Sequence, residues 1–271
     1  MRKLFSIFTI LFLLLVNVNA QSKLGDVACV YITTPNLDSS VAVYEKIGFS
    51  KINSNDYPSP WTQVSDGSLL IMLRKDNNPF IGLTYYANDI DKTIALLEKD
   101  SIVFSQKPKE GDVLKRYVIQ TPDGFTVTLV NNLGNFTQPK GPTLISMEPQ
   151  DFNMADKYPN KQCGAFGEFA QPVKDVKTSV AFWKKLGFKT SSTMNEPYPY
   201  VILSDGLMLI GLHQTNDFNY PAITYFGINT EQRVQQLKEK GVKDITEMMG
   251  KKNIVLKTWE GQHIFIFSVG M

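Results

Sequence analysis

The chain has 271 residues, with 28 Lys and Arg against 26 Asp and Glu. Without Arg2 and Lys3, which fall in an expected leader, the balance is 26 against 26, so nothing in the charge draws the chain to nucleic acid and no nucleic-acid partner is expected. The length suits one or two domains, each able to bury its own core without staples.

Residues 1–20 read as a signal peptide: Arg2 and Lys3, an apolar run over 4–16, then Val18-Asn19-Ala20, whose small residues suit cleavage before Gln21. The run falls short of the about 20 apolar residues of a membrane span. No Cys follows it directly to carry a lipid. A periplasmic or secreted product without a stable membrane anchor is expected, the alternative being a retained anchor. Cys29 and Cys163 remain after processing, in a compartment that permits a disulfide. Cys29 sits in an apolar run, where a lone Cys behaves as a small buried hydrophobe, so pairing is open but not favoured.

In chain order, a strand is expected at 27–33, then a helix at 37–46 with Leu37, Val41 and Tyr44 on one face and Gly48 as its stop. A polar stretch follows, then strands at 61–64 and 69–73 around the turn Ser65-Asp66-Gly67. The rhythm restarts with a strand at 81–87, a helix at 90–98 with Asp89 as N-cap, and a hairpin of 115–120 and 125–130 across Thr121-Pro122-Asp123-Gly124. Residues 133–162 carry neither period and read as linker; within them Asn135-Phe136-Thr137 is an N-glycosylation sequon, meaningful only in a host that glycosylates exported proteins.

The second half repeats the first. Residues 41–67 align with 180–206 without a gap: Val41 to Phe49 against Val180 to Phe188, Pro58, Pro60 and Trp61 against Pro197, Pro199 and Tyr200, and Ser65-Asp66-Gly67 against Ser204-Asp205-Gly206. Two copies of one α+β domain are therefore expected, at 24–132 and 163–270.

The helix ends Tyr44 to Phe49 and Trp183 to Phe188, and Pro122-Asp123-Gly124 before a β run, resemble the glyoxalase, bleomycin-resistance and extradiol-dioxygenase superfamily, the vicinal oxygen chelate proteins. The resemblance covers nearly all of the chain after the leader. It implies four tandem βαβββ modules in two domains, with mixed curved sheets and helices on their outer faces. Metal-using members draw His and Glu ligands from the first strand and a late strand of each module. Carried onto this chain, those positions hold Cys29, Gly82 and Thr128 in the first domain and Glu168, Ala222 and Phe265 in the second, and the late strands 69–73 and 207–212 offer no donor. Neither domain reproduces the set, so no metal and no cofactor is expected. The two histidines, His213 after a strand and His263 in the last hairpin, miss the first-strand positions.

If the first-strand positions face the cleft, alternation brings Tyr31 and Thr33 beside Cys29, then Thr84, Tyr86, Thr126 and Thr128, with Trp61 at the rim. In the second domain Glu168, Ala170, Thr224, Phe226, His263 and Phe265 face inward, with Tyr200 at the rim. Such walls suit a flat small molecule held by stacking and a few hydrogen bonds, although aromatics and Thr also favour strands with no ligand at all. Glu168 reads either as a locally paired strand residue or as a group for a cationic ligand or a proton. Three functions follow: a metal-free small-molecule binder, a lyase, isomerase or dioxygenase with a non-standard site, or a structural and interaction module. No Gly-x-Ser-x-Gly elbow, phosphate loop or zinc-spaced Cys and His cluster supports other enzymes. Ligand identity and oligomeric state stay open.

Overall fold

A computed structural model describes residues 22–248 and 253–269; the leader expected at 1–20 lies outside the described residues. The chain runs β1 (Val27–Thr34), α1 (Leu37–Lys46), β2 (Ser50–Asn55), β3 (Trp61–Ser65), β4 (Leu70–Lys75), then β5 (Ile81–Ala87), α2 (Ile90–Lys99), β6 (Arg116–Gln120) and β7 (Thr126–Asn131). The second half is β8 (Ala165–Pro172), α3 (Val176–Lys185), β9 (Lys189–Met194), β10 (Tyr200–Ser204), β11 (Leu209–His213), β12 (Ala222–Gly227), α4 (Thr230–Glu239), β13 (Ile245–Met248), β14 (Asn253–Lys257) and β15 (His263–Ser268). Asn36, Asp89 and Asp175 each accept a hydrogen bond from a backbone N–H of the first turn that follows, which starts α1, α2 and α3.

Two mixed sheets result, ordered β2-β3-β4-β1-β5-β7-β6 and β13-β14-β15-β12-β8-β11-β10-β9. In each, the first strands of the two modules pair antiparallel at the centre, and each takes a parallel late strand on its other side, β4 beside β1 and β15 beside β12. A single bridge between Gln106 and Val118 marks where module two has no third strand beside β6. This is the α+β architecture of paired βαβββ modules.

Strand alternation splits the apolar residues between two faces. Ala28, Val30, Ile32, Ile71 and Leu73 join the helices in one core that runs through both halves of the molecule. Val27, Cys29, Leu70 and Met72 lie on the helix-free face of the first sheet, and Ala170, Ala222 and Phe265 on that of the second.

Two expectations need correction. The polar stretches after α1 and α3 are strands, β2 and β9; every residue of β2 is exposed, so an outer strand at the sheet edge has no apolar alternation to display. The segment 133–162 is not a bare linker. It holds three short 3-10 turns and seats Phe152, Tyr158 and Met147 in a small buried cluster with Ala165.

The halves clasp each other by equivalent contacts. Tyr225 donates to Asp66, while its counterpart Tyr85 faces Asp205 without a direct hydrogen bond, close enough for that carboxylate to add to burial in raising the phenol's pKa. The hairpin tip of each half docks on the first helix of the other: Glu260 accepts from Ser40 and Tyr44 at 2.7 and 2.8 Å, and Asp123 from Ser179. Cys163 lies in this shared core and donates to the Ile47 carbonyl; Cys29 is buried in the first sheet, and both thiols are free. Among the described residues no helix is long and apolar enough to cross a membrane.

Candidate functional site

On the first sheet, Tyr31, Trp61 and Tyr86 share the helix-free face with Cys29, whose pKa burial pushes up to about 12. Thr84 lies opposite Cys29 on β5, and Thr128 beside Thr84 on β7. The segment after β7 covers this face. Phe136 packs edge-on against Tyr86 and Trp61 at 4.7 and 5.7 Å, its backbone N–H and carbonyl are both held by the Asn132 amide, and the Gln138 side chain accepts from Ala28 and donates to the Leu207 carbonyl. Arg74 donates to Ser59 and to the Tyr31 hydroxyl. Thr33 is occupied with the loop before β5, bonding Asn78 and Phe80.

On the second sheet the equivalent positions carry different chemistry. Glu168 replaces Cys29 and His213 replaces Arg74, and the two meet: His213 Nε2 lies 2.8 Å from Glu168 Oε1, with 7% and 2% of these residues exposed. His213 is therefore the last residue of β11 rather than a residue beyond the strand, and its backbone pairs with Tyr200 on β10. Glu168 and His213 do not face each other in register; the carboxylate passes over Gly211, where a Cβ would sit 2.0 Å from Oε2. Only a residue without a side chain leaves that route open.

Rings surround the pair. Tyr200 stacks on the His213 ring at 4.8 Å and 5°, Tyr198 and Phe218 lie edge-on to it at 5.9 and 5.5 Å, and Phe218 continues to Phe265 at 5.7 Å. Phe218 and Tyr220 come from the loop 214–221 and pack over Ala170 and Ala222. Burial and the Glu168 carboxylate both raise the Tyr200 pKa; burial, Asp217 and Glu168 raise that of Tyr198, so both phenols stay protonated near neutral pH. His263 stacks on Tyr220 at 3.6 Å, and burial, then Lys257, lowers its pKa. Phe226 stands apart, lying over Gly167 and against Phe267.

Three buried polar atoms on this face have no hydrogen-bond partner in the protein: Glu168 Oε2, His213 Nδ1 and Thr224 Oγ1. Thr224 is directly opposite Glu168 on β12, so all three belong to one patch. Leaving such atoms unmatched costs about 1–3 kcal/mol each.

The geometry thus gathers Glu168, Tyr200 and Phe265 into one site, with His263 at its edge. Sequence reasoning missed His213 as the partner of Glu168, together with Tyr198, Phe218 and Tyr220. A glycine inside an otherwise apolar strand, Gly211, was the available signal.

The donor set does not fit the metal centre of the resembled superfamily. Of its four strand positions here, Glu168 on β8 and His213 on β11 carry donors, which corrects the expectation that the late strand at 207–212 offers none, while Ala222 and Phe265 have no donor atom; among the described residues no three His, Cys, Asp or Glu side chains converge as a metal would need.

No protein-family model matches this chain, and no curated protein matches it. Solved structures do. A catechol 2,3-dioxygenase is 12% identical, with 93% of this chain and 89% of that one covered and a TM-score of 0.56. The 2,3-dioxygenase LapB from Pseudomonas sp. KL28 is 11% identical, with 92% and 94% covered and a TM-score of 0.58. A Mn(II)-bound glyoxalase from Novosphingobium aromaticivorans is 14% identical, with 92% and 84% covered and a TM-score of 0.56. At such identities the likeness is one of fold, and it spans both halves of the chain.

Proposed function

We propose, from the premise that this chain has the paired βαβββ fold of the vicinal oxygen chelate proteins, that it is an exported protein binding a small flat molecule on the helix-free face of its second sheet. The observation that carries the reading is the patch of three buried, unmatched polar atoms inside a wall of aromatic rings. Apolar walls with a few convergent polar groups are the usual make-up of a small-molecule site. The dioxygenase and glyoxalase neighbours lend the scaffold; the residues at their metal positions argue for binding without that metal.

A second reading has one observation in its favour. A carboxylate holding an imidazole at 2.8 Å also suits proton transfer, and ligands found by binding can be assayed for turnover.

The test is thermal denaturation of the chain from residue 21 onward against a fragment library, with metal content measured by elemental mass spectrometry. A ligand at 100 times its Kd should add about 2.7 kcal/mol of stability. The gain should vanish in Glu168→Gln. A gain that survives this substitution moves the site elsewhere, and near-stoichiometric metal overturns the metal-free account. Sequencing the N-terminus of the protein from an expressing cell tests export: a start at Gln21 supports it, and a retained Met1 sinks it.

A further inference from the structure

The donor and acceptor balance of the second-sheet patch identifies the chemistry it would take. An ionised carboxylate only accepts hydrogen bonds. Glu168 Oε1 therefore takes the His213 Nε2 proton. Of the three unmatched atoms, Glu168 Oε2 is then an acceptor, and Thr224 Oγ1 is a hydroxyl that can also accept.

Charge points the same way. Glu168 is 2% exposed, and among the described residues the basic side chain that bonds it is His213. Lys257, which pairs with His263 across β14 and β15, is exposed at the end of β14. Tyr198, Tyr200 and Phe218 pack around the His213 ring that the carboxylate holds. Aromatic faces attract cations, most strongly where water is excluded. An anion would meet the Glu168 charge at close range.

We infer that the ligand is an organic cation carrying several N–H donors on a flat ring, an amidinium or primary ammonium, with Glu168 as its counter-ion and Thr224 as a further acceptor. The inference rests on the binding reading above. It commits that reading to a charge and a donor count.

The experiment titrates the protein, by calorimetry at pH 7.5, with three probes of nearly one shape and different charge: benzamidine, benzamide and benzoate. Benzamidine should bind at least about tenfold tighter than benzamide, the factor one charge-assisted hydrogen bond supplies, and benzoate should not bind measurably. Glu168→Gln should bring benzamidine to within about threefold of benzamide. Benzamide or benzoate binding as tightly as benzamidine overturns the cation assignment and leaves small-molecule binding standing. Silence from all three beside a neutral or anionic hit in the fragment screen has the same meaning. Silence from all three beside a cationic hit that Glu168→Gln abolishes supports the assignment, and a blank screen removes both. Should Glu168→Gln fail to fold, the selectivity series on the unmodified chain still decides.

Discussion

Gly211 decides whether the second sheet has a site at all. A methyl group there would stand 2.0 Å from Glu168 Oε2 and 2.7 Å from His213 Nε2, so the carboxylate must leave its place beside the imidazole. Gly211→Ala should therefore cost about 1–3 kcal/mol in urea unfolding, as overpacking of a tight interior does, and should abolish the ligand response while the circular dichroism stays native. An unaltered response would mean that the Glu168 and His213 pair is not the anchor. In the first half the same strand position is Met72, flanked by Cys29 and Arg74 on the neighbouring positions, so the two copies keep one backbone and differ at the few side chains that set polarity.

Among the elements, the segment that follows β7 has the largest unforeseen role. Phe136→Ala should cost about 1–3 kcal/mol, less than the about 3–5 kcal/mol for removing a fully buried ring because Phe136 is only half-buried. It should also shift Trp61 emission to the red as water reaches Tyr86 and Trp61; an unmoved spectrum would show that the ring does not shield them. The sequence disclosed α1, α2, the terminal hairpin and the duplication because each has a period, a cap or a turn signal. It hid β2, whose residues are polar on both sides, and it hid the strap at 132–142, whose hold consists of individual contacts such as Asn132 on Phe136 and Gln138 on Ala28 and Leu207. Half of the candidate site was legible: alternation placed Glu168 and Phe265 on the right face, but His213 reaches Glu168 diagonally across a glycine, a relation that pairwise register does not contain.

At the scale of the molecule, the contacts between halves make stability depend on pH. Burial raises the Asp205 pKa despite hydrogen bonds from Ser22 and the Leu207 and Met208 amides. A carboxyl raised in the folded state binds its proton more tightly there than in the unfolded chain, so stability falls as pH climbs from about 4 through the raised value and levels off above it. Asp205→Asn removes that loss. Urea unfolding across pH 4 to 8 should show the variant gaining on the parent chain as pH rises through this window, and a constant difference would mean that Asp205 titrates alike in both states.

The reciprocal grip of the two halves, with Tyr225 on Asp66 and each hairpin tip on the opposite first helix, also bears on motion. Hinge bending between the halves would have to break buried hydrogen bonds and part a continuous core, which removes it as a way of admitting a molecule. For the proposed binding, that leaves the loop 214–221, which places Phe218 and Tyr220 over the second sheet, as the part whose displacement would set the speed of entry.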